Sequence, residues 1–337
     1  MVKKQAFKIL CILVCIIVLV SFQKHLDALK TKEAYNDKTG ELGHFPNQSI
    51  RVIVPYSAGD AADLTTKIVC KAAEKYLKQQ IIIEYRPGNE GETGQAFGAK
   101  APADGYTLTI VDPSTLINPL TKEVAYTSES FAYIVNMCTD NQILFVKKNA
   151  PYDTLEAFMD YANKHPGEVR IGNVGSLNMD HLSVMMIESE LNLKFAHVTF
   201  EEKVIAEEAL LAGHIDGLIA NPADLFERYK SKDIKAIALM STARDKDFPD
   251  VPTFVELGYY FVTGPFRAIA VPKETPDEVI HILEEAFLKA LESDEVKEAF
   301  SDVGIAKDTY LNSEKITQHV KELESNYVKL IEKYQSE

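Results

Sequence analysis

The chain has 337 residues, 46% hydrophobic, 26% charged and 9% aromatic, with 16 Gly, 14 Pro and no Trp. That composition excludes collagen-like, low-complexity and wholly disordered chains, and the length allows two domains of about 100–200 residues each. With 36 Lys and Arg against 50 Asp and Glu, the formal charge is −14 and no basic tract is present, which argues against a nucleic-acid partner.

In chain order the first feature is Lys3, Lys4 and Lys8 ahead of an uncharged run of 14 residues, Ile9 to Phe22. A positive flank before a short apolar stretch reads as an export signal, and the run falls short of the roughly 20 residues a spanning helix needs. It lacks amphipathic periodicity, as a core helix would not, and no small-x-small cleavage site follows it. Cys11 and Cys15 lack the small neighbours expected at a lipid-attached cysteine. Three outcomes stay open for residues 1–26: cleaved signal, retained anchor or lipid attachment. Residues 27–48 are polar and aperiodic, as a tether would be. Without residues 1–26 the chain carries 32 basic and 50 acidic groups, or −18, and its only cysteines are Cys70 and Cys138. A single disulfide or two buried thiols are both compatible with that pair.

From Ile50 the pattern alternates. Ile50–Val54 is a β-branched run stopped by Pro55; Asp60–Lys78 places Leu64, Ile68, Ala72 and Tyr76 on one helical face, with Asp60 or Asp63 available as cap. Ile81–Ile83 predicts a strand, Gly88, Gly91 and Gly94 break the chain before a helix near Gln95, and Thr107–Val111 predicts the next strand. Further strands are expected at 143–146, 169–174, 215–220, 234–240 and 266–271. Helices are expected at about 153–165, capped by an Asp153/Glu156 box, and at 179–191 and 201–212, the last stopped by Gly213. Thr275-Pro276-Asp277-Glu278 predicts a capped helix start, and two more helices near 294–302 and 313–334 close the chain. Such alternation with short connections predicts an α/β protein with parallel, doubly wound sheets.

In open α/β sheets, ligands bind beyond the carboxyl ends of strands, which singles out 56–63, 112–118, 175–181 and 221–224. Tyr56-Ser57-Ala58-Gly59-Asp60 leaves a strand and enters a helix with small side chains, so its backbone N–H groups and the helix dipole suit an anion; Gly175-Ser176-Leu177-Asn178 repeats the arrangement. Either turn could equally be a simple tight connection. No G-x-S-x-G, H-E-x-x-H or G-K-[ST] phosphate loop occurs, and the 88/91/94 glycines lack dinucleotide spacing. His181 could touch a ligand or act as a structural hydrogen-bonder; His197 and His214 show no partner pattern, and Ser176 has no evident base.

Seven short motifs then occur in order. They are Arg51–Asp63; Glu84-Tyr-Arg-Pro-Gly88-x-x-Gly91-x-x-Gly94; Pro102-Ala-Asp-Gly-Tyr-Thr-Leu108; and Asn163-x-x-Pro166-Gly167 with Gly175-Ser176 and His181-Leu182. Ala212-Gly-His-Ile-Asp216, Pro249–Gly258 and Ala270-Val-Pro-x-x-Thr275-Pro276 follow. Together, over about residues 50–310, they resemble the tripartite tricarboxylate transporter substrate-receptor family. The resemblance implies a type II periplasmic-binding-protein-like fold, with two αβ domains joined by a hinge and closing on a small solute. It sets domain 1 at 49–135 plus 255–337 and domain 2 at 136–254, with chain crossings near 124–146 and 240–266. It implies an exported monomeric receptor, periplasmic or at the cell surface, that needs no cofactor or metal and catalyses nothing. Such a receptor passes its solute, mostly a carboxylate, to a membrane permease of one large and one small subunit. The matching site positions are Tyr56, Ser57, Ala58, Gly59, Asp60, Asp63, Ser114, Thr115, Gly175, Ser176, Asn178, His181, Phe200 and Asn221. An anchored sensor that no longer transports, or a hydrolase using Ser176 and His181, are the alternatives.

The chain departs from the family pattern at Gly59-Asp60-Ala61-Ala62, where a Gly-Gly stretch is usual, and at Phe200-Glu201-Glu202, where an aromatic-Lys-Gly stretch is usual. If these acids face the solute, each uncompensated contact at about 5 Å costs a carboxylate roughly 3 kcal/mol at an effective dielectric of about 20. An amino acid, a cationic amine or a neutral solute would then be favoured over a di- or tricarboxylate. If they face solvent as helix N-terminal acids, no such bias follows.

Overall fold

A computed structural model describes residues 45–259, 263–303, 305 and 309–336. The segment Met1–Asn47 and the body Gln48–Glu337 are separate units, and all that follows concerns the second. The expected signal or anchor and most of the tether lie outside the described residues.

The body holds two mixed sheets. The first contains β1 (Ile50–Val54), β2 (Ile81–Tyr85), β3 (Thr107–Val111), β4 (Phe131–Thr139), β10 (Phe266–Pro272) and β11 (Leu311–Asn312), in the order β11-β4-β10-β3-β1-β2. The second contains β5 (Ile143–Lys147), β6 (Arg170–Val174), β7 (Ala196–Phe200), β8 (Gly217–Ala220) and β9 (Ile234–Leu239), in the order β7-β6-β8-β5-β9. Strands linked through helices, β1, β2 and β3 in one sheet and β6, β7 and β8 in the other, pair in parallel. The strands beside the two crossings break the expected all-parallel arrangement. β10 runs antiparallel to β3 and β4, and β5 antiparallel to β8 and β9, because each enters its sheet from the crossing side. The chain leaves the first sheet after Thr139, enters the second at Ile143, and returns between Leu239 and Phe266.

The helices are α1 (Ala61–Leu77), α2 (Glu92–Ala99), α3 (Ser114–Thr121), α4 (Leu155–Lys164), α5 (Met179–Leu191), α6 (Lys203–Leu211), α7 (Pro222–Lys230), α8 (Asp277–Glu292), α9 (Asp294–Asp302) and α10 (Ser313–Ser336). Asp60 caps α1 by accepting from Asp63 N at 2.8 Å. The cap of α4 is Thr154, which accepts from Ala157 N; Asp153, expected in that role, instead pairs with Lys235 at 2.6 Å. Thr275 does not cap α8, since its hydroxyl donates back to Pro272 O. Gly98 lets α2 press onto β3, where an added Cβ would lie 1.9 Å from Thr109 Oγ1. The Cys70 and Cys138 thiols are buried and unpaired, so the alternative of a disulfide between them does not hold.

One apolar core joins the sheets. It includes Val111, Phe131 and Phe266 from the first, Leu144, Ile171 and Ile237 from the second, and Ile316, Val320, Leu323, Tyr327 and Ile331 from one stripe of α10. A second core, with Phe145, Leu210, Leu218, Leu225 and Phe248, lies wholly under the second sheet.

Candidate functional site

The carboxyl ends of β1, β3, β6 and β8 lead into turns around one cavity of about 860 Å³. Residues from the first turns of α3, α5, α6 and α7 line it: Ser114, Met179 with Asp180, Lys203 with Val204, and Asp224. Helix N-termini carry partial positive charge, so four of them meeting at one space favour a solute with an anionic end.

On the first-sheet side, Asp112 follows β3 and its carboxylate turns toward the start of α3. Its Oδ1 accepts from Ser114 N (2.9 Å) and Oγ (2.5 Å), and its Oδ2 accepts from the Tyr56 hydroxyl. Gln95 Nε2 donates to Ser114 Oγ at 2.9 Å, and Tyr126 donates to Gln95 Oε1 at 2.5 Å. Burial raises the Asp112 carboxyl, and burial beside Asp112 raises the Tyr56 phenol well above its ordinary value. On the second-sheet side Asn178 caps α5, accepting from His181 N and donating to Val174 O at 2.6 Å. Its amide leans over Gly175, where any Cβ would lie 2.2 Å from Asn178 Nδ2 and φ is +78°. Asp180 Oδ1 accepts from Gln142 Nε2 at 2.8 Å, and burial pushes its carboxyl up to about 6. Gln142 sits in the first crossing, and its Oε1 accepts from Ser183 and Thr263.

Of the sequence-predicted residues, Tyr56, Ser114, Ser176, Asn178 and Asn221 line the cavity together. The others stand outside its wall. Ser57, Ala58 and Gly59 are exposed, and the Gly59 N–H is donated to Asp63 Oδ2 at 2.7 Å. Asp60 is spent as the α1 cap, and Asp63 is buried against Gly59, Lys67 and Tyr85. Thr115 is buried with its Oγ1 accepting from Asp112 N, and Phe200 packs on Gly172 inside the second sheet. Gly175 shapes the turn from behind, its N–H donating to Phe200 O at 2.8 Å.

His181 is buried, and both ring nitrogens are engaged. Leu177 N–H donates to Nδ1 at 3.0 Å, so the proton sits on Nε2 and points at Nδ1 of His197, 2.8 Å away. The remaining His197 N–H reaches Glu188 Oε2 at 2.9 Å. Burial, then His197, lowers His181 to about 4. The chain of contacts holds the 175–178 turn and leaves no nitrogen to serve Ser176 as base.

Sequence reasoning missed Asp112, Asp180, Asn118, Lys203 and Asp224 as individual wall residues, although four of the five fall in turns that strand ends had singled out. Lys203 lies just past Phe200-Glu201-Glu202; strand β7, which points that turn at the cavity, was not anticipated. Glu201 and Glu202 are exposed, Asp60 is half-buried as the α1 cap, and none of the three is in the cavity wall. Among the described residues no group of three or more His, Cys, Asp or Glu is arranged to hold a metal ion.

The sequence profile of the tripartite tricarboxylate transporter family receptor matches residues 65–335. The chain belongs to this receptor family. A UPF0065 protein from Cupriavidus necator is 28% identical over 291 residues, 86% of this chain and 88% of that one. The crystal structure of a TctC solute-binding protein from Polaromonas superposes with TM-score 0.80 at 28% identity, covering 86% of this receptor and all (100%) of that chain. MatC from Rhodopseudomonas palustris shares the fold, with TM-score 0.62 at 23% identity over 85% of this receptor and 100% of that chain. The two-lobed, periplasmic-binding-protein type of α/β fold expected from the motifs is therefore the fold of this receptor. Among the described residues no helix is long and apolar enough to cross a membrane.

Proposed function

We propose that the protein is an extracytoplasmic receptor that captures a small carboxylate-bearing solute between its two lobes and delivers it to a membrane permease of large and small subunits. The observation that carries the reading is the cavity itself, walled from both sheets and met by four helix N-termini. A carboxylate end fits beside Lys203 at the start of α6, whose first turn, like that of α3, has no acid of its own. MatC, which shares the fold, was solved with malate bound. Tyr56 and Ser114 would contact the solute from one lobe and Ser176, Asn178 and Asn221 from the other, so only a closed cleft satisfies all of them. The crossings at 140–142 and 240–265 would serve as the hinge. The hydrolase alternative loses support, because His181 has no free nitrogen for Ser176.

Thermal-shift screening of the purified protein against carboxylates and amino acids tests the proposal. A ligand present at 100 times its Kd stabilises by about 2.7 kcal/mol, which raises Tm by several degrees. Small-angle scattering should show a more compact particle with the same ligand. A panel with no Tm response and no compaction counts against a receptor.

A further inference from the structure

Five acids line the cavity, Glu90, Asp112, Asp180, Glu207 and Asp224, against one base, Lys203. Three of the acids have cations of their own. Glu90 pairs with Lys122 at 3.4 Å, Glu207 with Arg228 at 2.6 Å, and Asp224 with Lys203 at 2.8 Å. Asp112 and Asp180 have none among the described residues. Their contacts are the neutral groups Tyr56, Ser114 and Gln142. Asp112 feels Arg267, whose fork is closed on Asp140. Asp180 feels Lys203, already committed to Asp224, and feels Asp224 itself as a like charge.

Asp112 belongs to the first sheet and Asp180 to a helix of the second, yet both open on the same space. Two partly buried carboxylates on facing walls, each hydrogen-bonded and neither neutralised, form a place for a positive charge. Hydrogen bonds from Tyr56, Ser114 and Gln142 fix where those carboxylates point, so the site is built before a solute arrives. Lys203, bridged to Asp224 at the α6 N-terminus, is among the described residues the one cation in the cavity wall and the place for a negative one.

We infer that the solute carries a protonated nitrogen, an amine or amidinium, held between Asp112 and Asp180, with its carboxylate toward Lys203. This rests on the receptor reading and narrows it. The ligand is a zwitterion or cationic amino acid, and a plain di- or tricarboxylate is excluded. A cation bridging the two walls also draws the lobes together, because each lobe supplies one of its two counter-charges.

The test is isothermal titration of the full-length protein at pH 7.5 with two probe sets, L-arginine, L-lysine and 4-aminobutyrate on one side and malate and adipate on the other. The inference expects binding within the first set and none in the second. Asp112→Asn and Asp180→Asn should each weaken binding of the amine at least tenfold, while circular dichroism and the Tm of the unliganded protein stay close to the parent's. Binding of the amine should also weaken as pH falls below about 6, where Asp180, facing Lys203 and Asp224, protonates; burial shifts Asp112, facing Tyr56 and Arg267, in the same direction. Malate or adipate bound more tightly than every amine, with affinity growing as pH falls, overturns the inference and leaves the receptor reading standing. Amine binding unchanged in both Asn variants also overturns it. No heat with either set removes the receptor reading along with it.

Discussion

Asp216 shows how one residue of a recurrent motif serves the frame and leaves the cavity alone. Its carboxylate accepts from Lys147 Nζ at 2.5 Å and from Arg170 N and Nε at 3.0 Å each, tying β5 and β6 to the start of β8. Burial opposes the charge, but the Arg170 and Lys147 contacts win and hold it at about 2. Because the folded value lies below the unfolded one, this stabilisation is complete above about pH 4 and is lost as pH falls toward 2. It amounts to about 2 kcal/mol, so Asp216→Asn should cost about that much at pH 7 in urea denaturation and nearly nothing at pH 2. The cysteines behave as core atoms: burial raises both thiols, Cys138 to about 11. Neither should alkylate in the native protein, and peptide mass spectrometry after brief iodoacetamide treatment should find both modified only in denaturant. Residue types were legible in the sequence here, but their directions were not. Asp60 and Asp63 read equally well as ligand contacts and as helix-end acids until Gly59 N and Lys67 Nζ were seen to claim Asp63.

Elements were more legible than residues wherever side-chain periodicity was strong. α1, α5 and α9 and strands β1 and β3 fall within a residue or so of expectation. β4 was hidden by Asn136, Met137 and Cys138 in its middle, and β7 by its short alternation of Ala196, His197, Val198 and Thr199. Strand direction left no trace in side-chain pattern, so the antiparallel β5 and β10 came from the structure alone. Gly98 makes the α2–β3 contact testable: Gly98→Ala should cost about 1–3 kcal/mol, since Thr109 lies directly over the new methyl group. The imidazole pair joining α5 to β7 has a signed pH dependence. His181 binds its proton more weakly folded than unfolded, at about 4 against an ordinary 6.5, so stability falls as pH drops from about 6.5 to 4. The loss should be on the order of 2 kcal/mol in denaturation midpoints measured across that window, and His181→Gln should flatten the dependence.

At the scale of the whole molecule, two chain crossings are fastened side by side. Arg267 is buried and forks onto Asp140, Nη1 to Oδ1 at 3.0 Å and Nη2 to Oδ2 at 2.5 Å, while Asp140 N donates to Pro265 O. Gly264 passes so near Asp140 O that any Cβ would lie 1.8 Å from it. Removing the carboxylate leaves a guanidinium buried without its partner, so Asp140→Ala should lose about 3–5 kcal/mol in chemical denaturation. The two-lobed plan was legible from seven motifs in order; the fastening was not, because Asp140 and Arg267 are more than a hundred positions apart. The terminal helix α10 runs from β4 past α3 to α5, with Tyr327 donating to Met179 Sδ at 3.0 Å and the Tyr334 ring edge-on to His181 at 5.2 Å. The tail of the chain therefore acts as a strut braced on both banks of the gap. Any swing of one bank must slide or twist that strut, so an environment-sensitive dye placed at Tyr334 would signal occupancy of a chamber it never touches.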